Sequence, residues 1–203
     1  MQGDHDEGHD PFPDVGVSMR AAIWSTVLLA SCFALMFAIM PHALWRDAIL
    51  LYASTGFALG LLLLSYIDLR TGLLPDLLTL PLGLAGFGVS VYSGNWIPSA
   101  IGGVAGYALI AGLAAFWRSQ RGYEGIGLGD AKLLAAAGFW VGVFALPVIL
   151  LVASILGLVI ALIMAKATRS DDINVAIPFG PFLALGTWAA WCGAQNLLVN
   201  LSV

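Results

Sequence analysis

Long apolar runs follow one another along this chain of 203 residues, and most of them approach 20 residues in length. A helix needs about 20 apolar residues to cross a hydrocarbon core of roughly 30 Å. On that basis the sequence predicts seven membrane-spanning helices, at 21–40, 47–67, 73–92, 98–117, 131–144, 147–165 and 179–201. The fifth is short and is followed at once by Pro147, so we expect the fifth and sixth helices to form a tight hairpin. The predicted fold is an all-α bundle in a membrane.

The balance of apolar and charged residues supports a lipid-facing surface. Apolar residues make up 60% of the chain and charged residues only 10%, whereas a soluble domain carries about 25% charged residues. Eight Lys and Arg residues form no basic stripe, so no nucleic acid is expected as a partner. Cys32 and Cys192 lie in apolar runs and provide neither a disulfide framework nor a zinc set.

The first residues differ from the rest of the chain in their acidity. Much of the net charge of −4 comes from this segment, which holds Asp4, Asp6, Glu7, Asp10 and Asp14. We therefore expect residues 1–20 to be a flexible acidic tail and residues 21–203 to form a single transmembrane domain. His5 and His9 stand among these carboxylates at spacings seen in metal sites, but nothing rigid holds them together, so no metal site is predicted.

The basic residues predict the orientation. With the amino terminus in the cytoplasm, only Arg46 falls outside, and the other seven fall on the cytoplasmic side: Arg20, Arg70, Arg118, Arg121, Lys132, Lys166 and Arg169. The positive-inside rule favours this arrangement over its inverse. Four tryptophans lie near predicted span ends, as interfacial tryptophans usually do: Trp45, Trp96, Trp117 and Trp191.

Two segments on the predicted cytoplasmic side, 66–76 and 123–132, concentrate the ionisable residues near the membrane. Asp68 ends one predicted span and Asp130 precedes another, so both carboxylates lie near the same membrane face. Close carboxylates cannot both ionise easily and come to share a proton. One carboxylate can then draw a proton from water while its protonated neighbour hydrogen-bonds a scissile carbonyl, as peptide hydrolysis requires.

Three segments carry a resemblance to a known family. Residues 127–130, Gly-Leu-Gly-Asp, resemble the signature of the GxGD membrane aspartic proteases. The longer stretch 123–134 resembles the second active-site region of the type 4 prepilin peptidases (A24-type), and 67–82 resembles their first. Residues 177–186 are similar to the entry of that family's last span. Together the motifs cover roughly 66–193, in the family's order.

The resemblance implies a mechanism and a site. It implies that Asp68 and Asp130 are the catalytic pair, and that Asp76 supports them, since relatives carry Asp or Asn there. The other residues expected to support the site are Arg70, Pro75, Glu124, Gly127, Gly129 and Lys132. The cleavage itself would need no metal or cofactor.

The resemblance also implies a substrate and a location. The expected substrates are type IV prepilins or type II secretion pseudopilins, whose short leader is removed after a glycine that precedes an apolar segment. The expected location is the bacterial inner membrane, where a multi-pass protein has its active site facing the cytoplasm. The individual substrate and the oligomeric state stay open.

One departure from the family concerns zinc. Many relatives carry an insertion with two Cys-x-x-Cys pairs after the first span, whereas residues 41–46 are all that separates the first two spans here. In those relatives the new amino terminus is also methylated, with S-adenosylmethionine as the methyl donor. Without the zinc insertion, methylation by this chain stays open.

Several other interpretations remain. Asp68 and Arg70 could form a charged turn, Lys132 could anchor the membrane interface, and Glu124 could be a solvated loop charge. The chain could be a GxGD protease of other membrane substrates, similar to preflagellin peptidases or presenilin. It could instead be a small transporter that uses the aspartates for protons or cations, or an inactive relative retained for the assembly of a secretion complex.

Overall fold

The computed structural model describes residues 47–121, 127–167 and 178–201, together with six single positions between 27 and 38. The three continuous segments contain six α-helices and no strand. The helices are α1 (Ala48–Thr71), α2 (Asp76–Tyr92), α3 (Trp96–Arg121), α4 (Leu128–Val141), α5 (Leu146–Ala167) and α6 (Gly180–Leu201).

These helices correspond to six of the seven predicted spans. Three apolar stretches are long enough to cross a membrane, at Ala48–Thr71, Trp96–Gln120 and Val143–Ile163, and Asp76–Tyr92 is a shorter apolar helix. The predicted first span and the acidic tail lie largely outside the described residues. The all-helical fold is therefore confirmed for the described segments, and three of their helices are long and apolar enough to cross a membrane. The seven spans and the cytoplasmic amino terminus stay predictions.

Two helix ends next to the predicted catalytic residues lie beyond the predicted spans. Helix α1 continues past residue 67 to Thr71 and ends at Gly72, which adopts a left-handed φ of 63° that favours glycine. Helix α4 begins at Leu128, three residues before the predicted span, after the extended Gly127. Asp68 thus lies inside the last turn of α1, and Asp130 lies inside the first turn of α4.

Helix α4 lies at the centre of the bundle, and close backbone contacts with α3 hold it there. Gly102 of α3 and Gly138 of α4 lie against each other, and a Cβ on either residue would overlap the carbonyl group of the other. A Cβ on Gly106 would lie 2.6 Å from the carbonyl oxygen of Leu134. Small residues allow such close approach between membrane helices.

An aromatic cluster joins α4 to α1 and α6. The rings of Phe57 and Trp140 are stacked with centroids 4.0 Å apart, and Trp191 meets Trp140 edge-on at 5.4 Å. The indole nitrogen of Trp191 donates to Ser54 Oγ at 3.1 Å. Trp191, which the sequence predicts near a membrane interface, is instead 4% exposed. Its indole N–H finds a partner in α1, so the ring can be buried.

The predicted hairpin of the fifth and sixth spans has the expected tight turn, but its two helices do not pack against each other along their length. Only Gly142 and the 3-10 turn Val143–Ala145 separate α4 from α5. After this turn the helices diverge, and α5 packs mainly against α6. There a Cβ on Gly186 would lie 2.6 Å from the carbonyl oxygen of Ile149. The small residue at 186 therefore allows α6, rather than α4, to pack closely against α5.

Candidate active site

Asp68 is held in the last turn of α1 with its side chain turned into the bundle. The residue is 5% exposed. Its carbonyl oxygen accepts a hydrogen bond of 2.8 Å from the N–H of Gly72, which ends the helix. A buried carboxylate is costly unless it is hydrogen-bonded, so its partner matters.

That partner is the backbone of Gly180, the first residue of α6. The Gly180 N–H donates to Asp68 Oδ2 at 3.0 Å, across 112 positions of sequence. The first N–H groups of a helix have no partner within the helix and carry its partial positive charge. Asp68 therefore caps α6 from the end of another helix.

Asp130 lies at the start of α4 and is half-buried. Its N–H donates to the carbonyl of Gly127, at 3.2 Å, in the first turn. A Cβ on Gly129 would come within 3.1 Å of the Leu74 side chain, so glycine allows this turn to lie against the segment between α1 and α2.

The two aspartates influence each other electrostatically. Asp130 precedes the predicted fifth span, and both burial and the neighbouring negative charge of Asp68 raise the pKa of Asp130 to about 6. The structure thus places both aspartates at the same end of the bundle, Asp68 in the last turn of α1 and Asp130 in the first turn of α4, where Gly129 lies against Leu74. Carboxyl groups that interact strongly titrate as a pair and can hold one proton between them.

Asp76 and Lys132 form an ion pair beside the aspartates. Lys132 Nζ lies 2.6 Å and 2.8 Å from the two carboxylate oxygens of Asp76. Asp76 is the first residue of α2 and Lys132 is in α4, so the pair connects these helices near Asp130. The Lys132 ammonium is thereby bound to a specific carboxylate.

The remaining predicted supporting residues have different surroundings. The Arg70 guanidinium lies 5.4 Å from the ring centroid of Tyr66, one turn back along α1. Pro75 precedes α2, and its carbonyl accepts hydrogen bonds from the first turn of that helix. Gly127 precedes α4 in an extended conformation. Glu124 lies outside the described residues.

Gly180 is a site residue that the sequence does not single out. It contributes a main-chain N–H, which almost every residue type has, so residue chemistry does not reveal this role. The available sequence signal is its position within 177–186, one of the three segments that resemble a known family. The structure gives the reason for a glycine, because a Cβ at this position would lie 2.5 Å from Asp68 Oδ2. A glycine within Pro-Phe-Gly-Pro, residues 178–181, is consistent with a position where no side chain fits.

An apolar cavity of about 240 Å³ opens between α2, α3 and α4 and reaches the ion pair at Lys132. It is lined by Thr79, Leu80, Gly83, Leu84, Tyr107, Lys132, Ala135, Ala136 and Phe139.

In the described segments, no three His, Cys, Asp or Glu side chains form a group that could hold a metal ion.

Comparison with known proteins gives consistent matches over the same region. The model of the type IV leader peptidase family matches residues 55–162. The chain is 42% identical to a prepilin leader peptidase/N-methyltransferase of Burkholderia pseudomallei over 136 residues, 66% of this chain and 44% of the relative. It is 39% identical to one of Pectobacterium carotovorum over 146 residues, 70% of this chain and 52% of the relative. The chain spans about half the length of the curated relatives it matches, and no solved structure is significantly similar to it.

Proposed function

The chain belongs to the type IV leader peptidase family, and we propose that it is an aspartic endopeptidase with Asp68 and Asp130 as its catalytic pair. The observation that carries this proposal is the position of these two carboxyl groups at one end of the bundle, in the last turn of α1 and the first turn of α4. Both residues lie within 55–162, the region that matches the family.

The proposed chemistry follows from a pair that shares one proton. The ionised carboxylate takes a proton from water, and the oxygen of that water attacks the scissile carbonyl carbon. The protonated carboxyl gives its proton to the carbonyl oxygen, which yields a tetrahedral diol. Transfer of a proton to the peptide nitrogen then breaks the carbon–nitrogen bond. The products are the leader's new carboxyl group and the new amine of the mature chain.

We propose type IV prepilins or type II secretion pseudopilins as substrates, cleaved on the cytoplasmic side of the inner membrane. The first support is that similar proteins are prepilin leader peptidases. The surface beside the site is also suitable. Leu73 and Leu77 are 69% and 84% exposed, so apolar surface lies directly next to Asp76. An apolar substrate segment could lie along this face in lipid while its polar leader stays in water.

Methylation of the new amino terminus is a second candidate activity. It is favoured by the name of the relatives, prepilin leader peptidase/N-methyltransferase. S-adenosylmethionine would supply the methyl group, and we assign no residue of this chain to its binding. Mass measurement of the cleaved product, with and without S-adenosylmethionine, tests this activity separately from cleavage.

The test of the peptidase is cleavage of a co-expressed prepseudopilin in membranes. Asp68→Asn and Asp130→Asn should each abolish cleavage at equal expression. Asp47→Asn is the matched control, because Asp47 precedes the opposite end of α1 and an asparagine can still cap that helix. This control should retain native cleavage.

Each other outcome has a definite meaning. Cleavage that survives Asp68→Asn or Asp130→Asn removes that aspartate from the mechanism. If the native chain cleaves presenilin-type or preflagellin substrates but no pilin-like protein, the proposed substrate class is wrong. Ion flux in proteoliposomes that is lost in Asp68→Asn, without any cleavage, would favour the transporter interpretation.

A further inference from the structure

The two aspartates have different hydrogen-bonding surroundings. Asp68 Oδ2 accepts the N–H of Gly180 at 3.0 Å. The residues that the structure describes place no comparable amide against the carboxylate of Asp130, which is affected by burial and by the charge of Asp68. A hydrogen bond to the charged form of a carboxyl group favours that form.

In the first turn of α6, one amide has no acceptor near its own helix and donates to Asp68 instead. Pro181 has no N–H, and the N–H groups of Phe182 and Leu183 both donate to the carbonyl of Phe179 at 3.1 Å. The Gly180 N–H, at the positive end of the α6 dipole, thus donates its hydrogen bond to the Asp68 carboxylate.

Only glycine allows this contact. A Cβ at position 180 would lie 2.5 Å from Asp68 Oδ2 and 2.9 Å from Asp68 Cγ. Any side chain would therefore push the carboxylate away from the amide.

The other charged groups near the pair are engaged elsewhere. On α4, Lys132 is bound at 2.6 Å to Asp76 of α2. On α1, the Arg70 guanidinium lies over the ring of Tyr66. Among the described residues, the Gly180 amide is therefore the hydrogen-bond donor that distinguishes one aspartate from the other.

We propose that Asp68 is the ionised member of the pair and takes the proton from water. Asp130 carries the shared proton and gives it to the scissile carbonyl. Gly180 is the positioning residue that fixes this order. The inference rests on the proposed peptidase function. In each cycle Asp68 gains the proton of water and Asp130 loses one to the carbonyl oxygen. The order is restored when Asp68 passes its proton to the departing nitrogen and Asp130 takes one from the diol as its carbonyl forms.

The sharpest perturbation replaces the Gly180 amide by an ester, through incorporation of glycolic acid in place of this residue in the full chain. The change removes the N–H and adds no atom. Gly180→Ala is the simpler companion variant, which keeps the N–H but displaces the carboxylate. Gly193→Ala is the matched control in the same helix, since a Cβ there meets nothing within 4 Å.

The readout is the dependence of kcat on pH, measured with the purified chain and a prepseudopilin. For a pair that is active with one proton, the acidic limb reports ionisation of the first carboxyl and the basic limb reports loss of the shared proton. We expect the ester to move the acidic limb toward neutral pH by about one to two units, the size of one hydrogen bond to a charged group. The basic limb and KM should stay close to native values, and Gly193→Ala should match the native chain.

Two results would overturn the assignment. If the basic limb moves and the acidic limb stays, Asp68 is the member that carries the shared proton. If neither limb moves, the Gly180 amide does not set the order.

A parallel titration keeps this inference separate from the proposed function. Carbon-13 signals of labelled aspartates, with the pair identified by its loss in the Asp68→Asn/Asp130→Asn double variant, give the same two titrations without turnover. A native chain that cleaves nothing would contradict the peptidase proposal, while the shift of the lower titration in the ester variant would still decide the order.

Discussion

The close contact of α3 with α4 predicts opposite effects for two glycine substitutions in the same helix. A Cβ on Gly102 would lie 2.7 Å from the Gly138 carbonyl oxygen and from backbone atoms of Gly142 and Val143. A Cβ on Gly112 would meet nothing within 4 Å. Gly102→Ala should therefore destabilise the bundle, whereas Gly112→Ala should leave its packing unchanged.

The expected magnitudes follow from these contacts. Ordinary van der Waals contact begins at 3.4 Å, so at Gly102 the two backbones must separate by about 0.7 Å. Overpacking of this kind costs about 1–3 kcal/mol. An alanine in place of Gly112 should instead stabilise α3 by roughly 0.5–1 kcal/mol, because glycine loses more conformational freedom in a helix.

The assay is thermal unfolding of the two purified variants and the native chain in the same mild detergent. A change of 1 kcal/mol corresponds to roughly 2–4 °C in Tm for a chain of this size. Gly102→Ala should unfold roughly 5 °C below the native chain, and Gly112→Ala slightly above it. A Gly102→Ala protein that is as stable as the native chain would refute the close packing of α3 on α4.

Three further predictions use the same purified protein. Trp140→Phe should cost more than about 1 kcal/mol, because it removes the indole hydrogen bond of 2.8 Å to the Leu82 carbonyl and replaces a buried indole by a smaller ring; an unchanged Tm would show that neither the bond nor the packing contributes. Lys132→Met should cost less than about 1 kcal/mol, because its ion pair with Asp76 is partly exposed; a larger loss would mean that Lys132 has a structural role beyond this pair. The folded state binds the Asp130 proton more tightly than the unfolded chain, since the pKa of this carboxyl is raised from 3.8 to about 6. The stability that this proton contributes should be present in full below about pH 3.8 and be lost as the pH rises through 6. The Tm of the native chain should therefore fall relative to that of Asp130→Asn over this interval. Parallel Tm curves would contradict the raised pKa.

The lengths of the helices could be predicted from the sequence because the bilayer imposes them. Six predicted spans correspond to α1–α6, and their ends differ from the prediction by up to four residues where local residues set the boundary. Thr71, for example, extends α1 because Gly72 adopts the left-handed conformation that ends it. Hydropathy reports contact with lipid and is insensitive to the residues that terminate a helix.

The neighbours of each helix could not be predicted in the same way. Lipid and protein interior are both apolar, so the apolar pattern of α4 does not indicate which helices surround it. The divergence of α4 and α5 depends on close contacts at residues such as Gly138 and Gly186, whose partners are far away in sequence.

In the candidate site, too, the individual residues could be predicted but their contacts could not. Asp68 and Asp130 could be identified because ionisable groups near a membrane are rare and because their motifs resemble those of a family. The ion pair between Asp76 and Lys132 joins residues that are both in the predicted set, but their contact emerges only when α2 and α4 pack. Gly180 could not be identified from chemistry, because it acts through its main chain.

The shortness of α4 has a consequence for the bilayer itself. At a rise of 1.5 Å per residue its 14 residues span only about 21 Å, about 9 Å less than the roughly 30 Å of a typical hydrocarbon core. Because the other helices surround α4, this shortfall lies inside the bundle rather than against lipid. We therefore expect water to reach Asp130 at the end of α4, so that an extended peptide could approach the pair without its polar groups entering lipid.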